Sequence, residues 1–453
     1  RTVQQFIKKN IQSLKSSFQN CFDNHQLDLL ARECGFVKRK STLSGSKFVN
    51  LLMFNSQNGS RTTLTDLAED FELNDDNKIS KQALDARFNA EAVNFLKAVL
   101  SNMQAASLEE VISKNPKTSF DSCKLRDSTR FGLPDQYADK YKGHGGGVKT
   151  KSMISIQYEL DLLSGQPVDL QLTSARRNDQ RDSKESCSAI TPNSLLIRDL
   201  GYITSTYLKS VIDQKAYFLN RLPSQMNVYK AADGEQVDFK KLDKKMKRHN
   251  LPFIELAVLI GKKAQIPCRL VVYLADQKVA RHRLKKTTKN TKSIGCKVSE
   301  KQKIRSKLNI YITNTDKETI KPEHIAQLYS LRWQIELIFK TWKSLCNIDK
   351  TKAVKLHRFE CTLLAGLIWI LANWNVFRYI NKWFEESIKN KTPSIWKFFK
   401  HVSKHKIALR KILFEDDDLE SWIQQITQMA ESKFYRETKK GKLSYSEAIT
   451  FLA

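Results

Sequence analysis

Acidic residues are scarce in this chain. It carries 48 Asp and Glu against 77 Lys and Arg, a formal charge of +29 with a pI near 9.7. A charge so far from zero does not select a fold, but it does select partners. Nucleic acid leads, because each phosphate neutralised by a cation releases counterions; anionic membranes and ribosomal RNA are the alternatives. No uninterrupted apolar run approaches the roughly 18–20 residues of a membrane span. The longest, residues 363–371, reads as a buried helix. No secretory signal is legible in the opening residues, which start at Arg1 rather than Met. The eight cysteines include no Cys-x-x-Cys pair, which argues for reduced thiols in a cytosolic protein and against a zinc or disulfide scaffold. His401 and His405 stand four apart, but no Glu follows His401, so the zinc-protease pattern fails. The Gly-rich loop 143–147 lacks a downstream Lys-Ser/Thr and opens no helix, so it is a turn close to bound backbone rather than a P-loop.

At 453 residues, 41% of them hydrophobic, the chain is expected to fold as two to four domains. Residues 1 to about 112 read as helical. Within them, runs at 64–71 and 79–88 flank a polar turn and resemble a helix-turn-helix, with Ser80 as N-cap and Lys81, Gln82 and Arg87 facing DNA. A plain helical hairpin is the competing reading, since the turn is long. From about 120 the pattern becomes strand-like. Residues 122–126 form a short strand ending at Asp127, 152–160 and 167–172 alternate as a hairpin, and a polar stretch through Cys187 reads as a helix. Residues 194–198 are of buried-strand type and deliver Asp199 at the strand's end; 216–219 form the next strand. Three antiparallel strands, a strand ending at an Asp and one strand more is the order of a ribonuclease-H-like core. Residues 221–306 interrupt it with strand-like runs at 253–260 and 268–274; nine basic residues and one acidic lie between Lys285 and Lys307. Residues 308–314 return to the core sheet. Beyond 350 the chain is helical again, and Trp369, Trp374 and Trp383 read as core.

Residues 329–343 contain neither Pro nor Gly and follow Pro322, a good helix start. On a helical wheel Tyr329, Arg332, Lys340 and Lys343 fall within about 40° of Glu336. The rest of the circumference is largely apolar, so the stripe is expected to border a groove. A solvated face of i,i+4 ion pairs is the plainer reading. One carboxylate among cations suits a site that takes a metal through Glu336 and a phosphodiester through the cations.

This stretch resembles the Tyr-x2-Arg-x3-Glu-x6-Lys signature of DDE transposases of the insertion-sequence-4 family. Tyr329, Arg332, Glu336 and Lys343 match it, Lys340 matches a further basic position, and Asp127-Ser128-Thr129 and Asp199-x-Gly201-Tyr202 supply two earlier acids in order. The resemblance covers about 120–375. It implies an α/β multidomain protein. A ribonuclease-H-like catalytic core of mixed sheet and helices is interrupted by a mostly β insertion and flanked by helical N- and C-terminal regions. The corresponding boundaries are 1–115, 116–220, 221–306, 307–375 and 376–453, the last involved in pairing subunits.

The resemblance also implies that Asp127, Asp199 and Glu336 are catalytic and bind two Mg²⁺ ions, with Mn²⁺ able to substitute. Converging carboxylates repel unless cations lie between them. Hard divalent ions with oxygen ligands resolve that, and they activate the attacking oxygen while stabilising the leaving one. Tyr329, Arg332, Lys340 and Lys343 are then expected to hold phosphates near the cleaved end, Arg332 bidentately. The expected activity is cut-and-paste transposition: cleavage at element ends and strand transfer into target DNA. The partners are double-stranded DNA, terminal repeats and target alike, and a second subunit paired on DNA, in the cytoplasm of a prokaryotic cell. A nuclease of the same fold and a catalytically silent DNA-binding descendant are the alternatives. The insertion has no Trp, all seven lying at or beyond 333. Tyr229, Phe253 or Tyr273 are therefore the candidates to stack on a flipped base; Trp333 reads as packing, with stacking as its alternative.

Overall fold

A computed structural model describes residues 2–39, 41–75, 77–109, 118–144, 151–293, 295–388, 391–437 and 450–452. Most of the Gly-rich loop expected near DNA backbone lies outside them.

Among the described residues, nine strands form one mixed sheet. In chain order they are β1 (Ser122–Leu133), β2 (Ser152–Asp161), β3 (Pro167–Ser174), β4 (Ser194–Arg198), β5 (Tyr217–Arg221), β6 (Val228–Lys230), β7 (Ile254–Ile260), β8 (Ile266–Leu274) and β9 (Leu308–Thr313). Their spatial order is β3-β2-β1-β4-β5-β9-β8-β7-β6. The first three run antiparallel, β4 and β5 run parallel to β1, and β9 returns antiparallel beside β5.

Two expectations change here. The strand carrying Asp127 does not end there: β1 runs on to Leu133 because β2 pairs with it along that whole length. The segment 221–306, expected to be mostly β, is mixed. It contributes β6–β8 but also the helices Phe239–Arg248, Gln277–Ser293 and Glu300–Ser306. The basic run after Lys285 is largely helical, since Lys, Gln and Arg are good helix formers; its Thr hydroxyls are accommodated by bonding back to carbonyls one turn earlier. The three strands extend the same sheet, because β8 pairs with β9 along its free edge.

Alternation within strands sorts the sheet into two apolar faces. Leu195 and Ile197 face one cluster, which also holds the long helix Leu356–Ser387; Leu196 and Phe218 face the other. The long helix is apolar enough over 18 residues to cross a membrane, although its uninterrupted apolar run is shorter. That window is 83% buried inside the protein, as in a core helix. Trp369, Trp374 and Trp383 are buried as expected. The N-terminal helices share this core: Phe6, on the helix Val3–Phe22, packs on Tyr379 and Trp383 at centroid distances of 5.2 and 5.0 Å.

The helix-turn-helix candidate forms the helices Leu64–Asp75 and Lys81–Ala86, and the Ser80 hydroxyl caps the second by accepting from the Ala83 N–H at 3.1 Å. Lys81 and Gln82 are exposed. Arg87 is not directed outward. The helix ends before it, its guanidinium lies 4.2 Å from the Phe36 ring centroid, and it donates to the Leu43 carbonyl.

Candidate active site

The ladder between β1 and β4 ends with the pair Arg126 and Arg198. The next residues are Asp127 and Asp199. By alternation both fall on the face shared by Leu125 and Ile197, where the helix Trp333–Leu345 packs. That helix is seated by its buried apolar side: Phe339 and Trp342 meet Tyr158 of β2 edge-on at 6.2 and 4.9 Å, and Ile335 and Ile338 are buried beside them. Each such apolar side chain contributes about 1.5–3 kcal/mol when fully buried.

Residues 329–343 are not one helix. The helix Ile325–Ser330 stops, and Trp333–Leu345 begins after two intervening residues, Leu331 and Arg332. Through the junction the N–H groups of Leu331, Arg332, Gln334 and Ile335 each donate three residues back, so the chain tightens locally into a 3₁₀ turn. Side chains three apart then eclipse, and Arg332 lies over the ring of Tyr329, 6.0 Å from its centroid.

The tightening aims Arg332 at the acids. Its Nη2 donates to Glu336 Oε1 at 2.5 Å, its Nη1 to Asp127 Oδ2 at 3.3 Å, and its Nε lies 3.7 Å from Asp199 Oδ1. Asp127, Asp199 and Glu336, from two strands and a helix, thus address one guanidinium. Burial works against the charge of Arg332, but Tyr329, Asp199 and Glu336 more than offset it and hold the group ionised. Burial pushes the Asp127 carboxyl up to about 7, against the lowering pull of the Ser128 N–H and Arg332; Asp199 and Asp179 add to the rise.

The donor set is all carboxylate oxygen, the kind hard divalent ions prefer. Among the described residues, however, no three His, Cys, Asp or Glu side chains stand close enough to enclose one ion as they lie. Arg332 supplies the positive charge in that space.

Asp179 was not singled out from sequence. It accepts from the Ser128 hydroxyl at 3.0 Å and pairs with Arg130. A side chain on Gly201 would come within 2.7 Å of its Oδ2. Gly201 is therefore required by close approach rather than by an unusual backbone angle. The adjacent Tyr202 donates to Gln157 at 2.8 Å and closes the turn after Asp199.

The other predicted contacts divide. Tyr329 is buried against Tyr311, with centroids 5.4 Å apart, and burial raises its phenol's pKa. Lys343 donates to the Arg130 carbonyl at 2.9 Å, and burial keeps its ammonium below the ordinary lysine range. Lys340 is exposed, 5.3 Å from the Trp396 ring centroid. Trp333 is 56% exposed, not packed. Of the insertion aromatics, Phe253 and Tyr273 pack on each other at 6.1 Å, and the Tyr273 hydroxyl donates to the Pro322 carbonyl.

A family model described as a transposase DDE domain matches residues 118–371. The transposase for insertion sequence element IS231B of Bacillus thuringiensis subsp. berliner is 34% identical over 76% of this chain and 75% of its own length. That for IS1151 of Clostridium perfringens is 27% identical over 97% of this chain and 96% of its own. A solved piggyBac transposase synaptic complex with hairpin DNA covers 96% of this chain and 87% of its own at 12% identity and a TM-score of 0.46, too distant a likeness to carry a structural argument.

Proposed function

The chain belongs to the family of transposases that carry the DDE domain, and on that premise we propose that Asp127, Asp199 and Glu336 are its catalytic, metal-holding acids. The protein is a DNA transposase, an enzyme of DNA cleavage and strand transfer that acts at insertion-sequence ends. The observation that carries the site assignment is the convergence of the three carboxylates on Arg332. Membership of the insertion-sequence-4 branch is supported by the Tyr329, Arg332, Glu336 and Lys343 spacing. A ribonuclease-H-like core is supported by the order β3-β2-β1-β4-β5 with its first three strands antiparallel. The division at 1–115, 116–220, 221–306, 307–375 and 376–453 is retained as a working one, its insertion now of mixed structure.

Divalent ions, Mg²⁺ foremost and Mn²⁺ in its place, would be held by the three acids and supply activation of the attacking oxygen and stabilisation of the leaving one. Arg332 balances the acids in their absence. With cations on the acids, its planar fork would be free for the phosphate, for which it is suited in a way lysine is not. Tyr329 stays protonated and offers its hydroxyl. Lys340 and Lys343 bring positive charge along the same helix, and exposed Lys81 and Gln82 are available to the flanking duplex. Water or a DNA 3′-hydroxyl then displaces the strand at phosphorus. Terminal repeats and target are the double-stranded partners, and pairing of two copies on DNA, in a prokaryotic cytoplasm, completes the reading.

The test is a Mg²⁺-dependent cleavage and strand-transfer assay on DNA bearing the element's ends, with Glu336→Gln beside the wild type. Joined product from the wild type alone supports the assignment. Equal activity in both removes Glu336 from the site.

A further inference from the structure

Arg126 and Arg198 stand immediately before Asp127 and Asp199, and alternation sends them to the opposite face of the sheet. Both are 2% exposed. They are the last partners of the β1–β4 ladder, so two guanidiniums lie side by side in a dry layer. That arrangement needs carboxylates between and around them. Glu159, directly across from Arg126 on β2, supplies the shared one. Its Oε2 accepts from Arg126 Nη1 and from Arg198 Nη2, each at 3.4 Å. Asp182 takes Arg126 Nε at 2.6 Å and Nη2 at 3.2 Å, and Asp169 takes Nη1 at 2.9 Å. Arg198 also donates to the Ser186 hydroxyl at 3.2 Å. Among the described residues, Glu159 is the carboxylate paired with both arginines.

The backbone ladder stops one residue short of the aspartates. Past it β1 continues against β2, while β4 turns into the segment Leu200–Tyr202. No β1–β4 pairing lies beyond Arg126 and Arg198, so the grip on that last pair bears on the distance from Asp127 to Asp199, alongside Arg332 on the other face. A buried ion network is replaceable by apolar side chains at little or no loss of stability, so stability alone is a weak reason for one here.

We propose that Glu159 is a positioning residue that sets the spacing of Asp127 and Asp199 from beneath the sheet, by holding Arg126 and Arg198 together. The proposal rests on the reading of those aspartates as metal-holding acids. Loosening Glu159 lets Asp127 and Asp199 drift apart; it also costs stability, since Arg198 is left buried without that carboxylate, so divalent-ion affinity is read on protein that remains folded.

The test uses the full chain without DNA and follows free Mn²⁺ by its paramagnetic resonance signal. Glu159→Gln, which removes the charge, Glu159→Asp, which shortens the reach, and Arg198→Lys are compared with the wild type, with Asp127→Asn as reference and circular dichroism as the check on folding. The expected result is a folded Glu159→Gln protein that binds Mn²⁺ about 10- to 100-fold more weakly, the size of effect typical of groups behind metal ligands. Glu159→Asp should fall between it and the wild type. Wild-type Mn²⁺ affinity in Glu159→Gln, alongside loss in Asp127→Asn, overturns the positioning role and leaves the acids in place. Wild-type affinity in Asp127→Asn overturns the metal assignment itself, and this proposal with it. Failure of all three network variants to fold assigns the cluster to folding and overturns the proposal too.

Discussion

Arg332 donates to Asp127 across 205 residues of sequence, at 3.3 Å. The same guanidinium bonds Glu336 one turn further along its own helix. A cation so placed compensates three acids, and removing it leaves them uncompensated. Arg332→Gln is expected to destabilise the metal-free protein by about 1–3 kcal/mol, less than a fully buried pair because the site is partly open. Mg²⁺ should then raise the melting temperature of the variant more than that of the wild type. Equal shifts in thermal denaturation would show that ion and guanidinium do not compete for the same acids.

The raised pKa of Asp127 has a sign that can be checked. The folded state binds this proton more tightly than the unfolded chain, so the group favours folding at low pH. That contribution is lost as pH rises from about 4, the unfolded value, through about 7, the folded one. The wild type without metal should therefore lose about 4 kcal/mol relative to Asp127→Asn between pH 4 and pH 8. Denaturant titrations of both proteins at several pH values measure it. Parallel pH profiles would mean that Asp127 titrates normally.

Gly201→Ala brings a methyl group within 2.7 Å of Asp179 Oδ2, while Ser128 and Arg130 hold that carboxylate in place. Overpacking of this kind costs about 1–3 kcal/mol. The cost should shrink in an Asp179→Ala background, and a double-mutant cycle reads the difference directly. Additive effects would separate the two residues.

Trp333 is exposed beside Arg332, so truncating it should leave stability within about 0.5 kcal/mol of the wild type. If the ring stacks on a base, Trp333→Ala should weaken binding to element-end DNA by roughly tenfold or more, since a stacked base contributes about 1–3 kcal/mol. A large fall in melting temperature with unchanged DNA affinity would return Trp333 to a packing role.

Much of this was legible in the sequence, for reasons local to each residue. The strands around Asp127 and Asp199 announce themselves by their apolar, β-type residues, and Asp199 does follow a strand's end, whereas Asp127 lies within β1. Glu336 stands out because one acid sits among cations on a greasy helix. What pairing decides was not legible. The sequence does not say that β8 joins the edge of β9, so a segment that looked separable became part of the main sheet. It does not say that the chain tightens at Leu331–Arg332, which makes Arg332 the counterion of three acids in the metal-free protein. Arg87 looked like a surface cation because its partner, Phe36, is 51 positions away. Asp179 carried no signal beyond an N-terminal position on a short polar helix; its role depends on the shape of the turn at Gly201.

The most direct measurement is the anomalous scattering of Mn²⁺ in crystals of the full chain soaked in that ion. The account predicts a peak bounded by the carboxylates of Asp127, Asp199 and Glu336, with Arg332 turned away from all three. A saturated soak that leaves Arg332 bonded to Asp127 and Glu336, with manganese elsewhere or absent, would contradict it.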